Sequence, residues 1–472
     1  MSREAVDDPM DEMDWQFMDA ANGYERDKNI VLDRKLRYRN ILVVLLVLCI
    51  TCLGVLFVYD ALEKIPEEIH VTIHQQEQIC SKFPFQIQIE TEELPVFSME
   101  GERIECSQFH LGTGEQLILS SATSGRVEVD YELFGLLKLK STTYVFDEPQ
   151  ELIPLGSTVG IEIRTKGLLV LGTQDITDAA GTSRAPAELV VKEGDYITEL
   201  NHIKVSSVSQ LKQVIQNSED DKMVLTINRE GQLLEVRVDA SIDENGERKL
   251  GIWIRDSAQG LGTLTYVDAE GVFAALGHGV SDVDTGALME VEEGTLYRSE
   301  VLNIKKGEEG KPGQIQGILD RSEDGRIGSI EWNSKCGIFG KLNDSILKKV
   351  KEEFSSYPVA YKQEVETGKA QILCQLDKES GNRGLVQGEM YEVEIESCDP
   401  GEADGEKNKG MVLRITDPRL LEQTNGIIQG MSGSPILQNG KLIGAVTHVL
   451  VNDPTKGYGI FIENMLYRQK DQ

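Results

Sequence analysis

The stretch Ile41 to Tyr59, ILVVLLVLCITCLGVLFVY, runs nineteen residues without a charge. As a helix rising 1.5 Å per residue it is about 28 Å long, close to the hydrocarbon core of a bilayer. Arg34, Lys35, Arg37 and Arg39 precede it, and Asp60, Glu63, Glu67 and Glu68 follow. That asymmetry predicts a cytoplasmic N-terminus and an exported remainder. The plain alternative is a cleaved signal peptide. The run exceeds the usual apolar core of such a peptide and no A-x-A site follows, so an uncleaved anchor over 41–59 is expected. Residues 1–40 are then a cytoplasmic tail. Its first 33 residues hold ten acidic and three basic side chains with little apolar periodicity, a pattern expected to be disordered.

The 472 residues suffice for about three folded units. Lys and Arg number 48 and Asp and Glu 79, a formal charge of −31, which argues against a nucleic-acid partner. The 40% hydrophobic content excludes a wholly disordered chain. Cys49 and Cys52 lie inside the apolar run. Cys80, Cys106, Cys336, Cys374 and Cys398 are odd in number and widely spaced, giving neither a zinc pattern nor a disulfide framework. No cofactor or metal is called for.

Residues 60–163 alternate in short apolar runs such as FQIQIE and QLILSS, which predicts a β-rich spacer. His70, His74 and His110 have no partner there at metal-ligand spacing. From 164 to 240 the grammar changes. GLLVLG is followed by a segment in which Ser207 can cap a helix with Val208, Leu211, Val214 and Ile215 on one face, then by a hairpin around Arg229-Glu230-Gly231. Ala185-Pro186-Ala187, the turn Lys192-Glu193-Gly194-Asp195 and the following YITELN resemble the PDZ domains of exported bacterial proteases. The resemblance implies a groove between helix and sheet edge where a peptide adds as a strand. Its terminal carboxylate would meet the loop Gly167, Leu168, Leu169, Val170, Leu171 and Gly172. The plain alternative is an ordinary strand with glycine ends.

Residues 241–472 carry the chemistry. Val272–Leu276 ends in Gly277-His278-Gly279, which presents His278 at a strand end. Gly430-Met431-Ser432-Gly433-Ser434-Pro435 places Ser432 in a turn whose glycines leave backbone N–H groups free. A serine hydroxyl needs a neutral imidazole to take its proton, and the resulting oxyanion needs fixed donors. His278 fits the base and Ser432 the nucleophile, with the N–H groups of Gly430 and Ser432 as the oxyanion hole. Ser434 is a rival nucleophile but precedes a proline. Asp282 and Asp284 are candidates for an orienting acid, or for turn residues. His448, in GAVTHVL, is either a substrate neighbour or a packed strand histidine.

The order of these features resembles chymotrypsin-type serine peptidases. IRDSAQGLGTLTYVD, GHGVSDVDTG, GSIEWNSKCGIFG and QGMSGSPILQNGKLIGAVTHVLVNDPTKGYGIF resemble the stage IV sporulation protein B peptidase family. The resemblance implies a mainly β fold in which a transmembrane helix, a β-rich spacer and a PDZ-like domain precede a chymotrypsin-like double β-barrel. It points to Asp417 as the acid; the acidic stretch Asp399–Gly410 departs from the family pattern and reads as a solvent loop inserted before it. It also implies self-cleavage and cleavage of an inhibitor of a membrane-embedded protease, in signalling between the compartments of a developing spore. The rival expectations are a non-enzymatic PDZ scaffold and a general envelope quality-control protease.

Overall fold

The computed structural model describes residues 10–90, 97–99, 102–104, 108–377, 385–399 and 408–470. Residues 1–9 of the tail, Cys106, and 400–407 of the acidic loop lie outside the described residues. A single helix, Met10–Glu63, replaces the expected disordered tail and continues into the apolar run. No proline interrupts these 54 residues, and Ala, Leu, Met, Glu, Lys and Arg recur through them, all good helix formers. Its part Lys35–Glu63 is long and apolar enough to cross a membrane, and its apolar side chains face outward. The helix is tied to the next unit where the Lys140 ammonium donates to the Leu62 carbonyl at 3.0 Å.

The spacer is two facing antiparallel-rich sheets. One has five strands and includes Glu68–Thr72, Phe85–Glu90, Gly125–Leu133 and Leu137–Asp147; the other has four and includes Gln76–Cys80 and Gln116–Ser120. Every second side chain turns inward, so Ile87, Ile89, Leu117, Leu119, Val127, Val129 and Phe146 form the core between them. His70, partnerless by sequence spacing, is buried, and its Nδ1 lies 2.7 Å from the Asp147 carboxylate. Gln363, far along the chain, donates to the His70 carbonyl and ties the spacer to the C-terminal part of the molecule.

The strand Glu151–Thr173 is 23 residues long and runs through the expected boundary at Ile163. Its first half pairs with both Ile252–Val267 and Val291–Lys305. Ile252–Val267 pairs with Val272–Ala275, which pairs with Gly337–Leu342; Arg326–Ser334 then links Gly337–Leu342 to Val291–Lys305. The ring closes on six strands around Val159, Ile161, Leu264, Phe273, Leu296 and Ile338. A second closed barrel has the order Gly368–Cys374, Glu389–Cys398, Met411–Ile415, Asp453–Phe461, Lys441–Leu450 and Pro435–Gln438. Its core holds Ile372, Val393, Leu413, Ile436, Val446 and Phe461. The fold is therefore mainly β, with the two barrels expected of a chymotrypsin-like peptidase.

Residues 174–251 form an insert between the first two strands of the first barrel. Ser207 caps its helix Val208–Asn217 by accepting from the Gln210 N–H, and Leu211 and Ile215 are buried beneath it. The hairpin Lys222–Arg229 and Gln232–Asp239 turns at Glu230 and Gly231. The strand order here runs from that hairpin through Tyr196–Leu200 and the end of Glu151–Thr173 to the start of Ile252–Val267. Gly167–Gly172 is thus corrected from a carboxylate-binding loop to an interior strand. Leu168, Leu169 and Val170 are fully buried, and partners flank them on both edges. The sheet edge beside the helix is Ile252–Arg255, where Ile252 and Ile254 pack on the core under Leu211 and Ile215. Among the described residues no strand pairs with its outer side.

Candidate active site

His278 and Ser432 come from different barrels and line one cleft. The cleft has a volume of about 1110 Å³, and its walls include Leu261, Ile428, Gly430 and His448. His278 follows the short strand Val272–Ala275 and is half-buried. Its Nδ1 lies 2.9 Å from the Gly279 carbonyl oxygen. A carbonyl can only accept, so Nδ1 carries the ring proton and Nε2 keeps its lone pair. Burial lowers the imidazole below its ordinary 6.5, against a smaller raising effect of the Gly279 bond. A neutral ring with Nε2 bare is the state a general base requires.

The Ser432 loop is held from both sides. Gly430 and Gly433 have φ of +101° and +97°. A Cβ on Gly433 would lie 2.2 Å from the Thr263 carbonyl oxygen, so the loop needs glycine there both for conformation and for space. The Thr263 N–H donates to the Ser432 carbonyl at 3.0 Å, and the Thr263 hydroxyl donates to the Gly430 carbonyl at 2.7 Å. Met431, Gly433 and Ser434 spend their N–H groups on Ile428, Val446 and Met431 carbonyls. Among the described residues, the N–H groups of Gly430 and Ser432 meet no acceptor. Two donors left unspent beside a serine are the parts of an oxyanion hole. The Ser432 hydroxyl itself donates to the Thr447 carbonyl at 2.7 Å, so at rest it is turned toward the strand Lys441–Leu450 and not bonded to His278. Catalytic hydrogen bonds commonly tighten only with substrate bound.

His448 stands 4.9 Å from His278, ring centroid to centroid, tilted by 35°. Partial burial, then His278 and the Lys409 ammonium, lower it to about 4, so it faces the cleft as a neutral ring. Ser434 is fully buried and cannot meet a substrate.

The structure does not bring Asp417 to His278. Asp417 caps the helix Pro418–Thr424, accepting from the Arg419 N–H at 2.9 Å, and its other oxygen meets the Arg419 guanidinium, also at 2.9 Å. The Arg419 side chain, aided by the N–H groups of Arg419 and Glu392 and opposed by burial, holds this carboxyl at about 2. Asp282 and Asp284 are also committed elsewhere. Both bind the Arg255 guanidinium, and Asp282 accepts from the N–H groups of Asp284 and Thr285. The Gly279 carbonyl occupies the place at Nδ1 where an orienting acid would stand.

Sequence reasoning missed Thr263, Thr447 and Arg255. Thr263 lies within GLGTLTYVD, but a threonine in an apolar strand looks like any β-branched residue. Its role depends on the second barrel lying against it.

No curated protein matches this chain. The first strand of the first barrel precedes the segment recognised by family comparison, although the barrel cannot close without it. Residues 246–466, which carry His278, Ser432 and the rest of both barrels, match the family described as SpoIVB peptidase S55.

Proposed function

We propose that the chain is a membrane-anchored serine endopeptidase. Ser432 attacks a peptide carbonyl while its proton passes to Nε2 of His278. The N–H groups of Gly430 and Ser432 hold the oxyanion, His278 gives the proton to the leaving amine as the C–N bond breaks, and a water deprotonated by the same imidazole then releases the acyl group and restores the Ser432 hydroxyl. The observation that carries this reading is the meeting of His278 and Ser432, one from each barrel, in a cleft where those two N–H groups are unspent. Leu261, Ile427, Ile428 and Val449 in its walls favour an apolar side chain beside the scissile bond. A fluorophosphonate probe should label the parent chain and not Ser432→Ala; equal labelling of both would sink the assignment.

The cellular reading rests on the helix Lys35–Glu63, its basic flank and the family. The N-terminus is cytoplasmic and the bulk exported into the space between the membranes of a developing spore. The enzyme cleaves itself and an inhibitor of a membrane-embedded protease, with the sheets of 68–147 as spacer, the insert 174–251 as PDZ-like unit, and Glu151–Thr173 with the strands from Ile252 onward as peptidase. A peptide tail of the enzyme or its substrate adds to the outer edge of Ile252–Arg255, beside the helix Val208–Asn217, since Gly167–Gly172 has no free edge. Purified parent and Ser432→Ala chains, mixed with the candidate inhibitor in one liposome, would test it. Cleavage by both, or by neither, counts against it.

A further inference from the structure

The loop that begins at His278, residues 278–290, is held both by Arg255, on the strand Ile252–Val267 that edges the insert sheet, and by Tyr196 of the insert itself. Near its start, the Arg255 guanidinium spans Asp282 and Asp284, with 2.8 Å to the latter. Asp282 is only 2% exposed, so the Arg255–Asp282 half of this contact closes the loop against the sheet, while the Asp284 half lies at the surface. At its end, the Glu290 N–H donates to the Tyr196 phenol oxygen at 3.2 Å, and the Glu290 carbonyl accepts from the Lys166 N–H at 3.3 Å. Tyr196 belongs to the insert strand Tyr196–Leu200.

Arg255 sits between two residues that face the other way. Ile254 packs on the insert core, and the Asp256 carboxylate accepts from the Val208 N–H at 2.9 Å, at the start of the insert helix. Three consecutive residues therefore join the helix Val208–Asn217, the insert core and the loop of the catalytic histidine. A further anchor of that loop, Asn333, comes from the barrel itself: it accepts from the Val280 N–H and donates to the Val280 and Met289 carbonyls.

We propose that Arg255 and Tyr196 are positioning residues through which the insert holds the 278–290 loop, and with it His278, in its working place. The proposal deepens the peptidase reading and rests on it for its catalytic consequence. Any event that shifts the edge strand Ile252–Arg255 against the helix loosens Arg255 from Asp282 and Asp284, and so lowers catalysis without touching Ser432.

The test is hydrogen exchange on the full chain in detergent micelles, comparing the parent with Arg255→Ala, Arg255→Lys and Tyr196→Phe. Amides of 278–290 should exchange about tenfold faster in Arg255→Ala, with smaller increases in the other two, because lysine cannot span both carboxylates. In the same samples the maximal rate of fluorophosphonate labelling should fall with loop opening, while the probe concentration for half-maximal rate stays fixed. Unchanged exchange over 278–290 in a folded Arg255→Ala overturns the proposal. So does a rise confined to residues 168–256, which would make Arg255 a support of the insert alone. If Arg255→Ala does not accumulate, Arg255→Lys and Tyr196→Phe decide by the same comparison. Loop opening as expected in a chain whose parent takes no label would fail the peptidase reading and leave the loop's attachment standing.

Discussion

The two barrels have the same number of strands and the same closure, yet they hold His278 and Ser432, the proposed catalytic pair, differently. The second barrel carries Ser432 in a loop wedged against its neighbour: Gly433 lies against the Thr263 carbonyl, and Thr263 bonds the carbonyls on both sides of Met431. The first barrel presents His278 ahead of a long loop that relies on Arg255 and Tyr196, at the edge of and within the insert, as well as on Asn333. The backbone of the Ser432 loop is fixed by its neighbours even though the hydroxyl rests on the Thr447 carbonyl, whereas the loop after His278 depends on attachments outside its own strand.

The strongest test of this contrast is His278→Ala, which should reduce Ser432 labelling by about 10⁴-fold with the fold intact. A loss of less than tenfold would move the base elsewhere, with His448 the next ring in the cleft. Gly433→Ala should strike the rigid half instead: a positive φ and a Cβ driven into the Thr263 carbonyl should cost on the order of 3 kcal/mol, read from urea unfolding. Normal stability would mean that the loop is looser than the contact implies. The pH profile comes third. Because His278 is lowered from 6.5, its base form persists at pH 6.5, and labelling should fall only below that, by about tenfold per unit beyond the midpoint. A midpoint above 6.5 would mean a carboxylate partner reaches Nδ1. Asp417→Asn should have the smallest effect, within about threefold in labelling, since asparagine caps a helix as well as aspartate does. A loss near 10⁴-fold would make Asp417 the orienting acid after all.

Much of this site was legible in the chain. Gly277-His278-Gly279 at the end of an apolar strand, and glycines around Ser432, reflect local needs for exposure and for positive φ, which residue types reveal directly. The two barrels were legible as a resemblance, but the membership of Glu151–Ile163 was not. Those residues alternate like the spacer strands before them, and only their pairing with Ile252–Val267 and Val291–Lys305 sets them apart. Gly167–Gly172 misled for a related reason. Glycine-flanked apolar residues suit a loop or a strand equally, and the flanking strands that decide between them are distant in sequence. Asp417 sits at a plausible spacing from Ser432, yet Arg419, two residues on, takes its charge locally. The disordered tail was expected from its charge, while its helix-forming composition prevailed from Met10 onward.

The strand Glu151–Thr173 belongs at once to the first barrel and to the insert. Domains linked by flexible connectors can melt one at a time, but units that share an unbroken strand exchange strain through its ladder of backbone bonds. Heating should therefore dismantle the insert and the first barrel in a single calorimetric transition. A protease that nicks one would release no stable half of the other.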